Sequence, residues 1–260
     1  MLQTLPLFTA ERRQQIATLV AAAGRVTVAE LRARFGVSEV TLRKDLIALE
    51  GEGKLQRTHG GAIILPHEVT EQDFVRREAL QAAEKARIAT MATTLVVDGT
   101  TIALDASTSA LALARQVRGR RDLTVVTSGL RITLELAGAP GITVLMPGGQ
   151  VRPEALSLVG GWGAGVLGQV HIQRAFVGAQ GLTQAAGLTD VNAAEVAMKR
   201  DLVGAASEVV ALVDHTKWGQ AALATFCPFE ALSTIVTDAS VAPDLAHAAQ
   251  QAGIALLAAP

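Results

Sequence analysis

Three apolar stripes at helical spacing open the chain. In TAERRQQIATLVAAAG, Ile16, Leu19, Val20 and Ala23 recur on one face of a 3.6-residue repeat. Thr9 is the expected N-cap, Glu11 faces the positive end of the helix dipole, and Gly24 is the expected stop. In TVAELRARFG, Thr27 and Glu30 have the spacing of a capping box, and Gly36 closes the helix. In VSEVTLRKDLIALEGEG, Ser38 is the expected N-cap, while Val40, Leu42, Leu46 and Leu49 supply the apolar positions. Gly51 and Gly53 break that helix. The period then drops to two. KLQRTHGGAII alternates apolar and polar residues around a Gly-Gly pair, the pattern of a β-hairpin whose glycines allow a tight turn.

Pro66 stops the hairpin, and helix-favouring residues resume from Glu71, with Phe74 and Val75 as anchors. A second helical run opens at Glu84-Lys85, a pair that reads as solvated surface, and continues through Ile88, Ala89 and Met91. From residue 95 one grammar repeats: an apolar run, a polar loop, a helical pattern. TIALD, LTVVT, ITVLM, RAFVG, EVVALVD, STIVTD and IALLAA are the apolar runs. Alternation of strands and helices predicts an α/β fold with a mainly parallel sheet. Strands covered on both faces explain the unbroken Val/Leu/Ile/Ala runs.

Composition sets the bounds. A chain of 260 residues, 50% hydrophobic and 18% charged, can bury a full core and form two ordinary domains. The patterns place a head at 1–65, a linker at 66–80 and an α/β body at 81–260. Cys227 is the single cysteine, so no internal disulfide forms. The N-terminus lacks a basic region followed by a long apolar run, and no stretch has the roughly 18 apolar residues of a membrane helix. A soluble, cytoplasmic protein with no membrane partner is expected. Net charge is −1, yet residues 1–66 carry nine basic and six acidic groups, and the remainder fourteen and eighteen. A basic head on an acidic body points to two jobs.

Three short helices, the last two joined by a Gly-Val turn, form the pattern of a helix-turn-helix, and the hairpin adds a wing. The N-terminal end of the second helix of such a pair enters the major groove. Here that end carries Ser38, Glu39, Thr41, Arg43 and Lys44, hydroxyls and charges suited to phosphates and base edges. Arg57 and His59 fall on the wing. The same unit can also serve as a protein-interaction module.

In open α/β sheets, ligands bind beyond the carboxyl ends of the strands. Polar residues gather in five such loops: Asp105 to Ser109, Thr127-Ser128-Gly129, Gly148-Gly149, Gln180-Gly181 and Asp214 to Lys217. Ser107, Thr108 and Ser109 open a helix and form either a phosphate cradle or a plain N-cap. Lys217 adds a positive charge. Glu195 and Lys199, four residues apart, are pocket groups or an exposed ion pair, and Asp190 and Asn192 are pocket or capping groups.

VAELRARFGVSEVTLRKDLIALEGEGKLQRTHGGA resembles the N-terminal signature of the DeoR family of bacterial transcriptional regulators. Val37, Ser38, Thr41 to Leu46, Leu49, Glu50, Gly53, Arg57 and His59 to Ala62 match its pattern, and Lys44 stands where many members have Arg. Phe74 and Arg77 match a Phe-x-x-Arg element seen in members of the family. The body resembles the family's effector domain, which is similar in fold to ribose-5-phosphate isomerase, through Asp105-Ala106-Ser107-Thr108, Thr127-Ser128, Gly148-Gly149, Gly178-Ala179-Gln180-Gly181, Gly187-Leu188-Thr189, Glu195 with Lys199, and Asp214 to Lys217. Ala106 replaces the usual Gly and Ser128 the usual Asn. The resemblance implies a winged helix that binds operator DNA and an effector domain that binds a phosphorylated sugar or related metabolite. A repressor of carbohydrate genes, at least dimeric, is the expectation.

The competing class is a sugar-phosphate isomerase or transferase. Its base would be Glu195, Asp190 or Asp214. No paired acidic cluster, metal-ligand spacing or nucleophile-base set stands out, and His171, His215 and His247 are isolated. No catalytic residue, metal or cofactor is expected.

Overall fold

A computed structural model of the chain describes all but residues 1–8, 24, 52–54, 59, 64–73, 239, 240, 242 and 260. Gly24, Gly53, His59, Pro66 and Glu71, named above, lie outside the described residues. The chain divides into two units, Met1–Glu68 and Val69–Pro260. The division differs from the linker expected at 66–80, because Phe74–Ala79 is a helix of the second unit.

The first unit runs α1 (Thr9–Ala23), β1 (Arg25–Thr27), α2 (Val28–Phe35), α3 (Glu39–Gly51), β2 (Gln56–Thr58) and β3 (Gly61–Ile63). Thr9 lies within α1 rather than capping it. The capping box on α2 forms as its spacing predicts: the Glu30 N–H donates to Thr27 Oγ1 at 3.2 Å, and the Thr27 N–H to Glu30 Oε2 at 2.7 Å. Gly36 ends α2 in the left-handed region, φ 64°, where a side chain would be strained. Ile16, Val20, Leu31, Leu42, Leu46, Leu49 and Leu55 form the buried core. Each such side chain contributes roughly 1.5–3 kcal/mol on burial.

The three strands make an antiparallel sheet in the order β1-β3-β2. Gly60 sits in the turn that joins β2 to β3, the tight turn expected there, and Gly61 pairs with Thr58 at its close. Gly61 serves a further purpose: β3 lies so close to β1 that a Cβ on Gly61 would stand 2.0 Å from the Val26 carbonyl oxygen. Only glycine permits that approach.

The second unit contains α4 (Phe74–Ala79), α5 (Ala82–Ala92), β4 (Thr101–Leu104), α6 (Thr108–Val117), β5 (Leu123–Thr127), α7 (Leu130–Leu136) and β6 (Ile142–Leu145). A hairpin, β7 (Gln150–Arg152) and β8 (Ser157–Val159), leads to the short α8 (Ala164–Leu167) and to β9 (Ile172–Val177). Then follow β10 (Gly181–Thr183), β11 (Gly187–Asp190), α9 (Ala193–Gly204), β12 (Ala206–Leu212), β13 (Ala224–Cys227), β14 (Thr234–Thr237), α10 (Pro243–Gln251) and β15 (Ala255–Ala258).

Seven strands form the main sheet in the order β15-β14-β12-β9-β4-β5-β6, every neighbouring pair parallel. Successive strand residues alternate between two apolar clusters: Ile102 and Leu104 join one, Ala103 the other; Phe176 joins one, Ala175 and Val177 the other. Both faces are therefore covered, which is why these strands read as apolar runs without alternation. After β4 the chain winds one way, to β5 and β6; from β9 it winds the other way, to β12, β14 and β15. Neighbouring β4 and β9 thus mark the point where winding reverses. Loops diverge there, and a crevice opens at the carboxyl ends of the strands.

Candidate functional site

The head presents one face of α3. Ser38 caps the helix, accepting the Thr41 N–H at 3.2 Å, and the two hydroxyls lie 3.0 Å apart. Ser38, Glu39, Arg43 and Lys44 are exposed and Thr41 is half-buried, while Leu42, Leu46 and Leu49 turn into the core. The residues singled out at the start of this helix therefore share its open end. Arg57 is exposed on β2, where its Nε donates to Glu50 Oε2 at 2.6 Å and its backbone N–H to Glu50 Oε1 at 2.9 Å. These bonds, the backbone one first, hold the Glu50 carboxyl below its ordinary pKa.

One residue of the head escaped the sequence reading. Asp45 is 1% exposed and accepts from Arg12 Nε at 2.7 Å and Arg13 Nε at 2.9 Å. The pair of ion pairs rivets α1 to α3 and so sets how α3 is carried. The signal was present: Asp45 falls between Leu42, Leu46 and Leu49 on the apolar stripe.

In the second unit a narrow cleft, open to solvent, lies at the reversal point. Its lining includes Ala106, Ser107, Gln180, Asp190, Glu195 and Lys199, with Arg77 of α4 and Ala155 of the β7–β8 turn completing it. Lys199 is the hub. Its ammonium donates to Asp105 Oδ2 at 2.8 Å, Asp190 Oδ2 at 2.7 Å and the Gly178 carbonyl at 2.8 Å. It also lies 4.9 Å from the centre of the Phe226 ring. Burial alone would lower its pKa, but the attraction of Asp105 and then Asp190 wins, and the ammonium is held above the ordinary lysine range.

Asp105 ties the loops after β4 and β9 together. It accepts from Ser107 Oγ at 2.6 Å and from the Gly178 N–H at 3.2 Å. Gly178 must be glycine, because a Cβ there would stand 2.5 Å from Ser107 Oγ. Ser107 in turn caps α6 by accepting the Ala110 N–H at 3.1 Å, with Thr108 and Ser109 buried in the first turn. Ala106, in place of the family's usual glycine, is not among the positive-φ residues, so its methyl costs no backbone strain.

Glu195 and Lys199 are not the exposed pair that their spacing allowed. Both are buried, and Glu195 Oε1 accepts from Arg152 Nη1 at 3.0 Å and from Ser157 Oγ. Asn192 caps α9, accepting the Ala194 N–H at 2.9 Å, while Asp190 is the pocket group. Thr127 Oγ1 accepts the Gly129 N–H at 3.0 Å, and the Ser128 carbonyl accepts the Leu158 N–H at 2.7 Å, which lays the β7–β8 hairpin across the end of β5. Gly148 and Gly149 have φ of 85° and 137°, so the pair starts that hairpin in a conformation other residues rarely adopt. These loops follow β5 and β6 and are not in the cleft lining, nor are Asp214 and Lys217 after β12.

Two sequence expectations fail on this rim. Lys85 is 7% exposed rather than solvated, because it shares a face of α5 with Ile88, Ala89 and Ala92. His215 is not isolated: its Nδ1 lies 2.8 Å from Asp238 Oδ2, and its backbone N–H donates to Asp238 Oδ1 at 2.7 Å. The hydrogen bond to Asp238 raises the His215 pKa above 6.5. The pair's stabilisation is therefore complete below pH 6.5 and fades as pH rises through the raised value. An NMR titration should place His215 above 6.5, and Asp238→Asn should bring it back; an unchanged midpoint would deny the pairing.

No described helix is long and apolar enough to cross a membrane. The DeoR-like helix-turn-helix domain matches residues 12–68, and the DeoR C terminal sensor domain matches residues 80–239. The HTH-type transcriptional regulator GolR of Listeria innocua is 39% identical over 248 residues, covering 95% of this chain and 98% of its own. The putative aga operon transcriptional repressor of Escherichia coli O157:H7 is 29% identical over 251 residues, 96% of this chain and 93% of its own. Among solved structures, ribose 5-phosphate isomerase A of Methanocaldococcus jannaschii covers 52% of this chain and 53% of its own, at 18% identity and a TM-score of 0.40, too slight a match to bear on function. The chain belongs to the DeoR family of transcriptional regulators, with the family's helix-turn-helix domain as its head and the family's sensor domain as its body.

Proposed function

We propose that this regulator represses carbohydrate-metabolism genes and that a phosphorylated sugar or related metabolite, bound in the crevice, lowers its affinity for operator DNA. The observation that carries the reading is the crevice itself. Two basic groups, Arg77 and Lys199, two carboxylates, Asp190 and Glu195, and the polar Ser107 and Gln180 converge where β4 and β9 part, held by the buried Lys199 network. The start of α6 adds its dipole, which favours an anion. Asp105, Ser107, Thr108, Ser109, Gln180, Asp190, Glu195 and Lys199 form the inner site; Thr127, Ser128, Gly148, Gly149, Asp214 and Lys217 shape its rim. The relative named as a repressor supports the sign of regulation.

On the DNA side, Ser38, Glu39, Thr41, Arg43 and Lys44 contact the operator, with Arg57 and His59 at the wing. One short helix offers few contacts, so the protein acts in the cytoplasm as at least a dimer on paired half-sites. Arg43→Ala is expected to weaken operator binding and flatten its salt dependence by about one counterion, with the melting temperature unchanged. An unaltered salt slope would remove Arg43 from the interface.

The enzyme reading needs a carboxylate at the reacting carbon, but the candidates are engaged. Glu195 is held by Arg152 and Ser157, Asp190 by Lys199, and Asp214 accepts the Thr216 N–H at 3.0 Å. A thermal-shift screen against phosphorylated sugars and polyols tests both readings. A ligand that raises the melting temperature and is recovered unchanged supports the regulator. Turnover that is lost in Glu195→Gln would make the crevice an active site.

A further inference from the structure

We propose that α4 reports the occupancy of the crevice: Arg77 contacts the bound phosphate group, and Lys85 holds α4 where that contact alters it. The inference rests on the proposed reading of the crevice as a phosphate-ester site. It assigns a ligand contact to Arg77 and a positioning role to Lys85.

The placement of α4 is the first observation. It is the first described element after residues 64–73, which lead from the head in sequence. Whatever changes α4 therefore acts on the chain that leads back to the DNA-binding domain. At six residues it has little helical stability of its own, so its order depends on what holds it.

Glu78 Oε1 accepts from Arg115 Nη2 of α6 at 2.6 Å and the Phe74 ring is buried, which docks α4 on the domain, and three further contacts lead toward the site. The Phe74 N–H donates to the Glu154 carbonyl at 2.8 Å, in the turn of the same hairpin whose Arg152 and Ser157 hold Glu195. Arg77 is half-buried, lines the crevice, and lies over the Phe74 ring at 5.5 Å. Lys85 reaches back from α5 across a sharp corner, where Gln81 takes a left-handed φ of 49°. Its ammonium donates to the Arg77 carbonyl and, at 2.6 Å, to the Leu80 carbonyl. These are end-of-helix carbonyls that α4 cannot satisfy by continuing.

One residue thus carries both ends of the link. The Arg77 side chain faces the ligand space, and its own carbonyl is gripped by Lys85. Burial lowers the Lys85 pKa to about 8, with Asp214 opposing the change and Lys217 adding to it. The grip on α4 is therefore sensitive to charge brought to this rim. A phosphate group that makes a charge-assisted bond to Arg77 must shift the equilibrium between ordered and frayed α4.

Hydrogen exchange of the full chain, followed by mass spectrometry, tests this in chloride, inorganic phosphate and glucose 6-phosphate. Either anion is expected to slow exchange in loops 105–109 and 178–181 and in α4. Stronger protection by the sugar phosphate identifies an ester as the ligand, and equal protection identifies free phosphate. In Arg77→Gln, phosphate binding should weaken roughly tenfold, as expected for loss of one charge-assisted bond, and at saturation only the loops should be protected. Arg77→Lys should restore part of the affinity. Lys85→Met, if it melts cooperatively, should keep loop protection and lose that of α4. Loop protection without α4 protection in the wild type, or α4 protection that survives in Arg77→Gln, overturns this inference and leaves the crevice reading intact. Absence of protection in both places overturns the crevice reading and the inference together.

Discussion

Lys199→Met is expected to destabilise the sensor domain by about 3–5 kcal/mol, the usual cost of removing one partner from a buried ion pair. Methionine keeps the length and bulk of the side chain, so packing against Phe226 is largely preserved. What is lost is the charge between Asp105 and Asp190, which are 0% and 6% exposed. Two carboxylates then face each other in a site where water cannot screen them. Asp105 also fixes Ser107 and Gly178, so the crevice should lose its shape along with its stability. Urea denaturation of the domain measures the loss, and a deficit below about 1 kcal/mol would mean that Lys199 is a replaceable surface group. Asp190→Asn placed on top of Lys199→Met should recover part of the deficit, because it removes one of the stranded charges.

Local rules predicted local features well. The Thr27–Glu30 capping box, the Gly36 stop and the Ser38 cap each follow from residues within a few positions of one another. The parallel sheet was readable too, since buried strands must be apolar throughout. Side-chain networks were harder because their members are far apart in the chain. Arg152 and Ser157 meet Glu195 across 43 and 38 residues, and Asp45 meets Arg12 across 33. No spacing rule reaches that far. Lys85 departs from its expected place for another reason. Its charge suggested solvent, although the helical period placed it with Ile88, Ala89 and Ala92. The same period marked Asp45 as buried. A charge on an apolar stripe is a stronger signal than its charge alone, because burial without a partner would be too costly.

The second large effect is expected in the head. Asp45→Ala takes the buried carboxylate away from the Arg12 guanidinium, whose side chain is 9% exposed, and breaks the Arg13 bond to α3. The cost should again be about 3 kcal/mol or more. A domain of this size has little stability in reserve. Operator binding should therefore be lost at 37 °C, with proteolysis confined to the first unit and the sensor domain melting as before. Full operator affinity in Asp45→Ala would show that α1 does not govern how α3 is carried.

The central claim is that one chain couples DNA at α3 to a metabolite at the crevice. Operator affinity of the full-length protein, titrated against the phosphorylated sugar that most raises its melting temperature, tests this most directly. The account predicts that saturating ligand weakens operator binding, and that operator weakens ligand binding by the same factor, as linkage requires. Operator affinity that stays constant while the crevice fills would contradict it.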